Sequence, residues 1–149
     1  MKKKNLMIAA AVGAALSVAV AGGAALAHHA FAAEFDGKAP VLLRGKVVRV
    51  EWINPHAWVH VNVVGADGKE TEWMVEGGTP NTLLRAGIDR NSLKAGQEII
   101  VRGYQSKDRL CRPACKANGR DVTFPDGKKL FMGSSGTGAP KDGSDPTEK

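Results

Sequence analysis

The four histidines of the chain, His28, His29, His56 and His60, fall within one 33-residue stretch. Imidazole nitrogen suits copper, nickel or zinc, so metal binding is the first chemistry to weigh. If a peptidase cuts after Ala27, His28 carries a free α-amine beside its ring nitrogen, and the two close a chelate on a divalent copper ion. His56 is then the natural third nitrogen, giving an arrangement like the histidine brace of copper proteins. Everything here depends on the cut. Cleavage after Ala25 leaves Leu26-Ala27-His28, a terminal pattern that binds copper or nickel without the rest of the protein, and cleavage after Ala32 discards both leading histidines. The alternative is a pair of terminal histidines with no partner and a His56 that, following Asn54-Pro55, only donates a ring hydrogen bond to its own loop.

A second candidate comes from strand parity. In Trp58-Val59-His60-Val61-Asn62-Val63 the valines point one way, into a core, and Trp58, His60 and Asn62 the other. In the following strand, Trp73 and Val75 go inward while Glu70, Glu72, Met74 and Glu76 go outward. Trp58, His60, Asn62, Glu72 and Met74 then share one face, a platform for a small molecule, a glycan or a peptide. The competing outcome is that the N-terminal segment 28–36 simply covers the tryptophan. Glu76-Gly77-Gly78-Thr79-Pro80, ahead of a helix, could offer backbone N–H groups to an anion, or could be a tight turn needing positive φ. No acid/base pair stands out, although Glu51 and Glu76 could approach across a sheet. Cys111 and Cys115 are expected to form a disulfide closing a small loop, with a metal-binding pair as the competing reading.

These groups must be positioned by a small scaffold. Lys2, Lys3 and Lys4, the apolar stretch from Leu6 to Ala21 and the small-x-small Ala25-Leu26-Ala27 read as a signal peptide, residues 1–27, cleaved after Ala27. An uncleaved anchor is the alternative, since roughly 20 apolar residues cross a bilayer. The expected location is periplasmic or secreted, with membrane contact only through the leader. The formal net charge of +6 shrinks on cleavage, because the leader holds three lysines and no acid, leaving 18 basic against 15 acidic residues. Without a basic cluster, nucleic-acid binding is not expected. Residues 133–149 offer nothing large to bury and read as a disordered tail, so the domain is 28–132.

Within that span the pattern is β-rich. Val41–Trp52 is a long first strand whose interior Gly45 suggests a bulge or bend. Strands 58–63 and 70–75 flank the hairpin signal Asp67-Gly68. Thr79 caps a short helix with Pro80 at its first position and Gly87 as its stop. Strand four spans 97–104, and Asp121–Phe124 with Lys129–Phe131, around the turn Pro125-Asp126-Gly127, is strand five and its extension. The order β-β-β-α-β-β predicts a small all-β, OB-like five-stranded barrel with one short helix.

The segments His28-His29-Ala30-Phe31-Ala32-Ala33-Glu34-Phe35-Asp36, Glu51-Trp52-Ile53-Asn54-Pro55-His56-Ala57-Trp58, Trp73–Gly78 and Asn81–Arg85 resemble a family of small exported bacterial proteins classed as a domain of unknown function. The resemblance implies an export signal, one compact β-rich domain and bacterial origin, and it carries over no activity or catalytic residue. The Cys111/Cys115 insert stands outside the shared pattern. The expected function is a non-enzymatic, exported binding module. Two alternatives are a periplasmic copper-binding protein using its terminal histidine and a small periplasmic enzyme or enzyme accessory.

Overall fold

The computed structural model describes residues 31–133; the leader, His28, His29 and the tail beyond Gly133 lie outside the described residues. Six strands and one named helix follow in order: β1 Phe35–Glu51, β2 Trp58–Val64, β3 Glu70–Glu76, α1 Pro80–Arg85, β4 Glu98–Ser106, β5 Cys115–Thr123 and β6 Lys129–Phe131. Residues 31–34 are helical.

The long β1 organises the sheet. Its residues 45–51 pair antiparallel with β2, while residues from Phe35 to Lys46 pair antiparallel with β4. β3 continues from β2 and closes onto β5 in parallel, so the ring runs β1-β2-β3-β5-β4 and back to β1. That is the OB-type closure expected, with β6 added as a hairpin partner of β5. The strand sharing is possible because Gly45 pairs with both Val63 and Ile99, and a Cβ there would lie 2.2 Å from the Asn62 carbonyl oxygen. No side chain fits where the two neighbours cross.

Gly45 is the bend but not the bulge. The register runs Val47↔Val61 and then Arg49↔His60, leaving Val48 unpaired. One extra residue reverses parity. Leu43 and Val47 face the core, and beyond the bulge it is Val50 that packs inward while Arg49 and Glu51 turn outward.

The core is a layer of branched aliphatics, Val47, Val59, Val61, Val75, Val101 and Val122, each at most 3% exposed. Each such side chain contributes roughly 1.5–3 kcal/mol on leaving water. Leu83, on α1, joins this cluster together with Ile88 and Leu93, and Trp73 packs against it from the inward side as expected. The α1 termini also match: the Thr79 hydroxyl accepts from the Thr82 N–H at 3.1 Å, Pro80 begins the helix, and Gly87 takes φ +80°. Thr79 and Gly87 thus fix both ends of α1. At the β2–β3 turn Gly68 has φ +75°, as the Asp67-Gly68 signal requires.

Two strands differ from the sequence reading. β1 begins at Phe35 rather than Val41, because Phe35 pairs with Ser106 across an irregularity that skips Asp36 to Ala39. β5 begins at Cys115 rather than Asp121, although Lys116-Ala117-Asn118-Gly119-Arg120 has weak strand propensity. Pairing on both sides, to β3 and β4, holds it extended.

Candidate functional site

On the outer surface one rung of the barrel joins five strands: Glu51 pairs with Trp58, Trp58 with Glu76, Glu76 with Asn118, and Asn118 with Tyr104. The expected face of Trp58, His60, Asn62, Glu72 and Met74 lies on this surface, since His60 opposes Met74 and Asn62 opposes Glu72. Its texture differs from an open platform. Trp58, Asn62, Glu72 and Met74 are partly exposed, but His60 is only 1% exposed.

The burial of His60 follows from the bulge at Val48. With Arg49 and Glu51 turned outward, His60 Nδ1 sits 2.6 Å from Glu72 Oε1, and its Nε2 stands 3.1 Å from Glu51 Oε1, without hydrogen-bond alignment. Arg49 ties both carboxylates together, donating to Glu72 at 2.9 Å and to Glu51 at 3.4 Å. The hydrogen bond from His60 is the main reason that the Glu72 carboxyl titrates below the ordinary carboxylate value, with Arg49 adding to it against some desolvation. Arg49, Glu51, Glu72 and His60 Nδ1 are held together in this way, so the tetrad fastens β1, β2 and β3, while the buried His60 Nε2 has no aligned hydrogen-bond partner among the described residues. Asn62 is also engaged, donating to Glu70 at 2.7 Å.

Glu51 and Glu76 do not form the acid/base pair considered from sequence, because Trp58 stands between them on the rung. Glu76 belongs to a second group. It accepts from the Asn118 side-chain amide at 3.1 Å, and His56 Nδ1 lies 3.7 Å from it. Burial raises the Glu76 carboxyl above its ordinary value and Glu34 adds to the rise, while His56, Asn118 and Lys116 pull it down. His56 Nδ1 also lies 3.3 Å from the Gly77 carbonyl, which can only accept, so Nδ1 is the donor there. That ring orientation matches the second-shell arrangement that prepares imidazoles for metal. Among the described residues, no three His, Cys, Asp or Glu side chains come together so as to hold a metal ion. His28, the other half of the expected copper set, lies outside the described residues.

Among the described residues, the N-terminal segment 31–36 covers the part of this surface around Tyr104. Phe31 packs on Phe35 and edge-on against Tyr104, whose centroid is 5.7 Å away, forming a small apolar cluster apart from the main core. Glu34 reaches Lys116 at 3.7 Å, Asp36 meets Arg109 at 2.7 Å, and Lys107 donates to the Ala32 carbonyl.

The Gly77-Gly78 turn offers no anion site. Neither glycine has positive φ, and their N–H groups are spent on the Ala57 carbonyl at 2.8 Å and the Met132 carbonyl at 2.7 Å. Met132 crosses close by, 3.3 Å from where a Gly77 Cβ would sit, whereas a Gly78 Cβ would meet only ordinary contacts at 3.6 Å. Cys111 and Cys115 are joined as a disulfide in the β4–β5 connection. Sequence reasoning missed Arg49, Asn118, Lys116 and Tyr104. Only Arg49-x-Glu51 left a local trace, a same-face pair; Lys116 and Asn118 are brought in by β5 register, and Tyr104 by the pairing of β4 with β1 and β5.

A family of unknown function, DUF6152, matches residues 14–112. The chain belongs to this family. The match takes in β1 to β4, loop 52–57 and Cys111, and leaves out β5, the strand that closes the barrel. No curated protein matches the chain.

Proposed function

We propose that this member of the DUF6152 family is a non-enzymatic binding module of an exported bacterial protein, taking its ligand on the outer face of β2 and β3. The observation that carries the reading is the rung through Trp58. It sets a half-buried tryptophan and Met74 among carboxylates already held in place, on the face that OB-type barrels use for ligands. Glu51, Glu70, Glu72 and Glu76 each have a partner on this face, which suits recognition through a preorganised surface. Export rests on the leader sequence, and intact mass of protein recovered from the periplasm or medium tests it: a chain beginning at His28 is expected, and a full-length chain in the membrane fraction refutes it. Binding is tested by amide NMR titration with a neutral tetrasaccharide and with tetralysine. Shifts confined to residues 58–62 and 72–76, lost in Trp58→Ala, support the reading; shifts elsewhere, or shifts that Trp58→Ala leaves intact, refute it.

A second reading, copper binding by His28 and His56, is favoured by the His56 orientation and by where the chain is anchored. Phe31 rests on Tyr104, two strand spacings, about 10 Å, from Glu76 along the rung. Three residues of extended chain span about 10 Å, the same scale as that separation. Electron paramagnetic resonance of a copper titration tests this. The spectrum should change when one residue is added before His28 and when His56 is replaced by Ala, while His29→Ala and His60→Gln should matter less. Unchanged spectra in the first two variants refute it.

A further inference from the structure

A groove of about 500 Å³ opens at the other end of β2, some six residues from Trp58 along the strand, where β1 passes from β2 to β4. Its size falls in the range of small-molecule sites. Gly45 is among its lining residues, at the point where β1 pairs with both β2 and β4. Val64, Ile100 and Pro125 give the walls an apolar character, and Thr123 contributes a hydroxyl. Val64 is 61% exposed, so its side chain is open to a ligand at this wall.

The charges decide what the groove would accept. Four charged residues line it, Arg44, Lys46, Glu70 and Glu98. Glu70 is engaged by Asn62 at 2.7 Å, and Lys46 lies 3.8 Å from Glu98 in a loose, exposed pair. Arg44 alone has no ion-pair or hydrogen-bond partner among the described residues. It sits opposite Ile100 on β4, which in turn pairs with Thr123 on β5. A guanidinium set between apolar walls presents a planar pair of donors that matches a carboxylate. A polyanion is disfavoured, because Glu70 and Glu98 border the same groove. A cation is disfavoured as well, because both carboxylates are already engaged while the free charge is positive.

We propose that this groove binds a small amphipathic monoanion, a carboxylate on an apolar body, with Arg44 clamping the carboxylate and Val64, Ile100 and Pro125 receiving the body. The site is independent of the β2–β3 face proposed above, sharing with it only Asn62. The full chain is titrated with 4-phenylbutyrate, with its neutral amide 4-phenylbutyramide and with the cation 4-phenylbutylamine, followed by amide NMR. The carboxylate should shift residues 44–46, 62–64, 98–100 and 123, and should bind more tightly than either analogue. Arg44→Gln, an exposed substitution whose folding is checked by its melting curve, should weaken the carboxylate by about tenfold and leave the amide unchanged. Val64→Asp should abolish carboxylate binding, and Trp58→Ala should leave it intact. No shift at millimolar carboxylate, equal binding of the three probes, or undiminished binding by Arg44→Gln would each overturn the proposal.

Discussion

Replacing Gly45 by Ala strikes the point on which the barrel turns. The added methyl would lie 2.2 Å from the Asn62 carbonyl oxygen and 2.9 Å from Val61 Cγ1. A carbon-to-oxygen contact settles near 3.3 Å, so β2 would have to withdraw by about 1 Å. The atom in the way is backbone, held in register on one side by β1 and on the other by β3, and cannot rotate aside. Overpacking a core costs about 1–3 kcal/mol where side chains can yield, so a backbone clash belongs at the upper end, about 3 kcal/mol. In a domain of about 100 residues, 1 kcal/mol moves the melting temperature by about 4–8 °C, so Gly45→Ala should melt some 12–24 °C lower. Gly96 is the control. It has φ +82° with nothing within 4 Å, so Gly96→Ala costs only the left-handed strain of about 1–2 kcal/mol. Urea unfolding followed by tryptophan fluorescence compares the two with wild type. A Gly45→Ala protein no less stable than Gly96→Ala would refute the argument that this glycine is demanded by strand crossing.

Three further outcomes follow from the site. In His60→Gln the Glu72 carboxyl should titrate closer to the ordinary carboxylate value, read from its side-chain carbon shift, because its depressed value depends first on His60; an unchanged titration would contradict the tetrad. A depressed carboxyl stabilises the fold above its unfolded value and loses that contribution as pH falls through the folded one, so the advantage of wild type over His60→Gln should shrink in acid. Glu76 has the opposite sign: its raised value means that stability is full below the ordinary carboxylate range and is lost as pH rises through the folded value. Glu76→Gln should therefore flatten that part of the stability profile, and a profile identical to wild type would count against a buried, desolvated Glu76. Iodoacetamide without reductant should label neither Cys111 nor Cys115, and removing their five-residue ring should cost no more than about 2 kcal/mol; labelling of both in freshly isolated protein would show a free pair.

Much of this protein is written locally. The alternation of Trp58 to Val63, the Asp67-Gly68 turn, and Thr79, Pro80 and Gly87 around α1 each act over a few residues, through parity, positive φ and capping, and the structure places them as read. Their order was enough to imply the OB-type barrel. What the chain does not display is register. The bulge at Val48 is invisible because any residue can be the unpaired one, yet it alone turns Arg49 and Glu51 outward and encloses His60. The N-terminal half of β5 has the composition of a loop and becomes a strand because β3 and β4 offer it hydrogen bonds on both sides. Through that strand Asn118 reaches Glu76, and the pairing of β1 with β4 sets Phe31 against Tyr104. Such meetings across 42 or more residues depend on barrel closure, which no local pattern encodes. Sequence decided the local elements and the alternation within each strand; tertiary structure decided where that alternation reverses and which residues meet, because both depend on strand register.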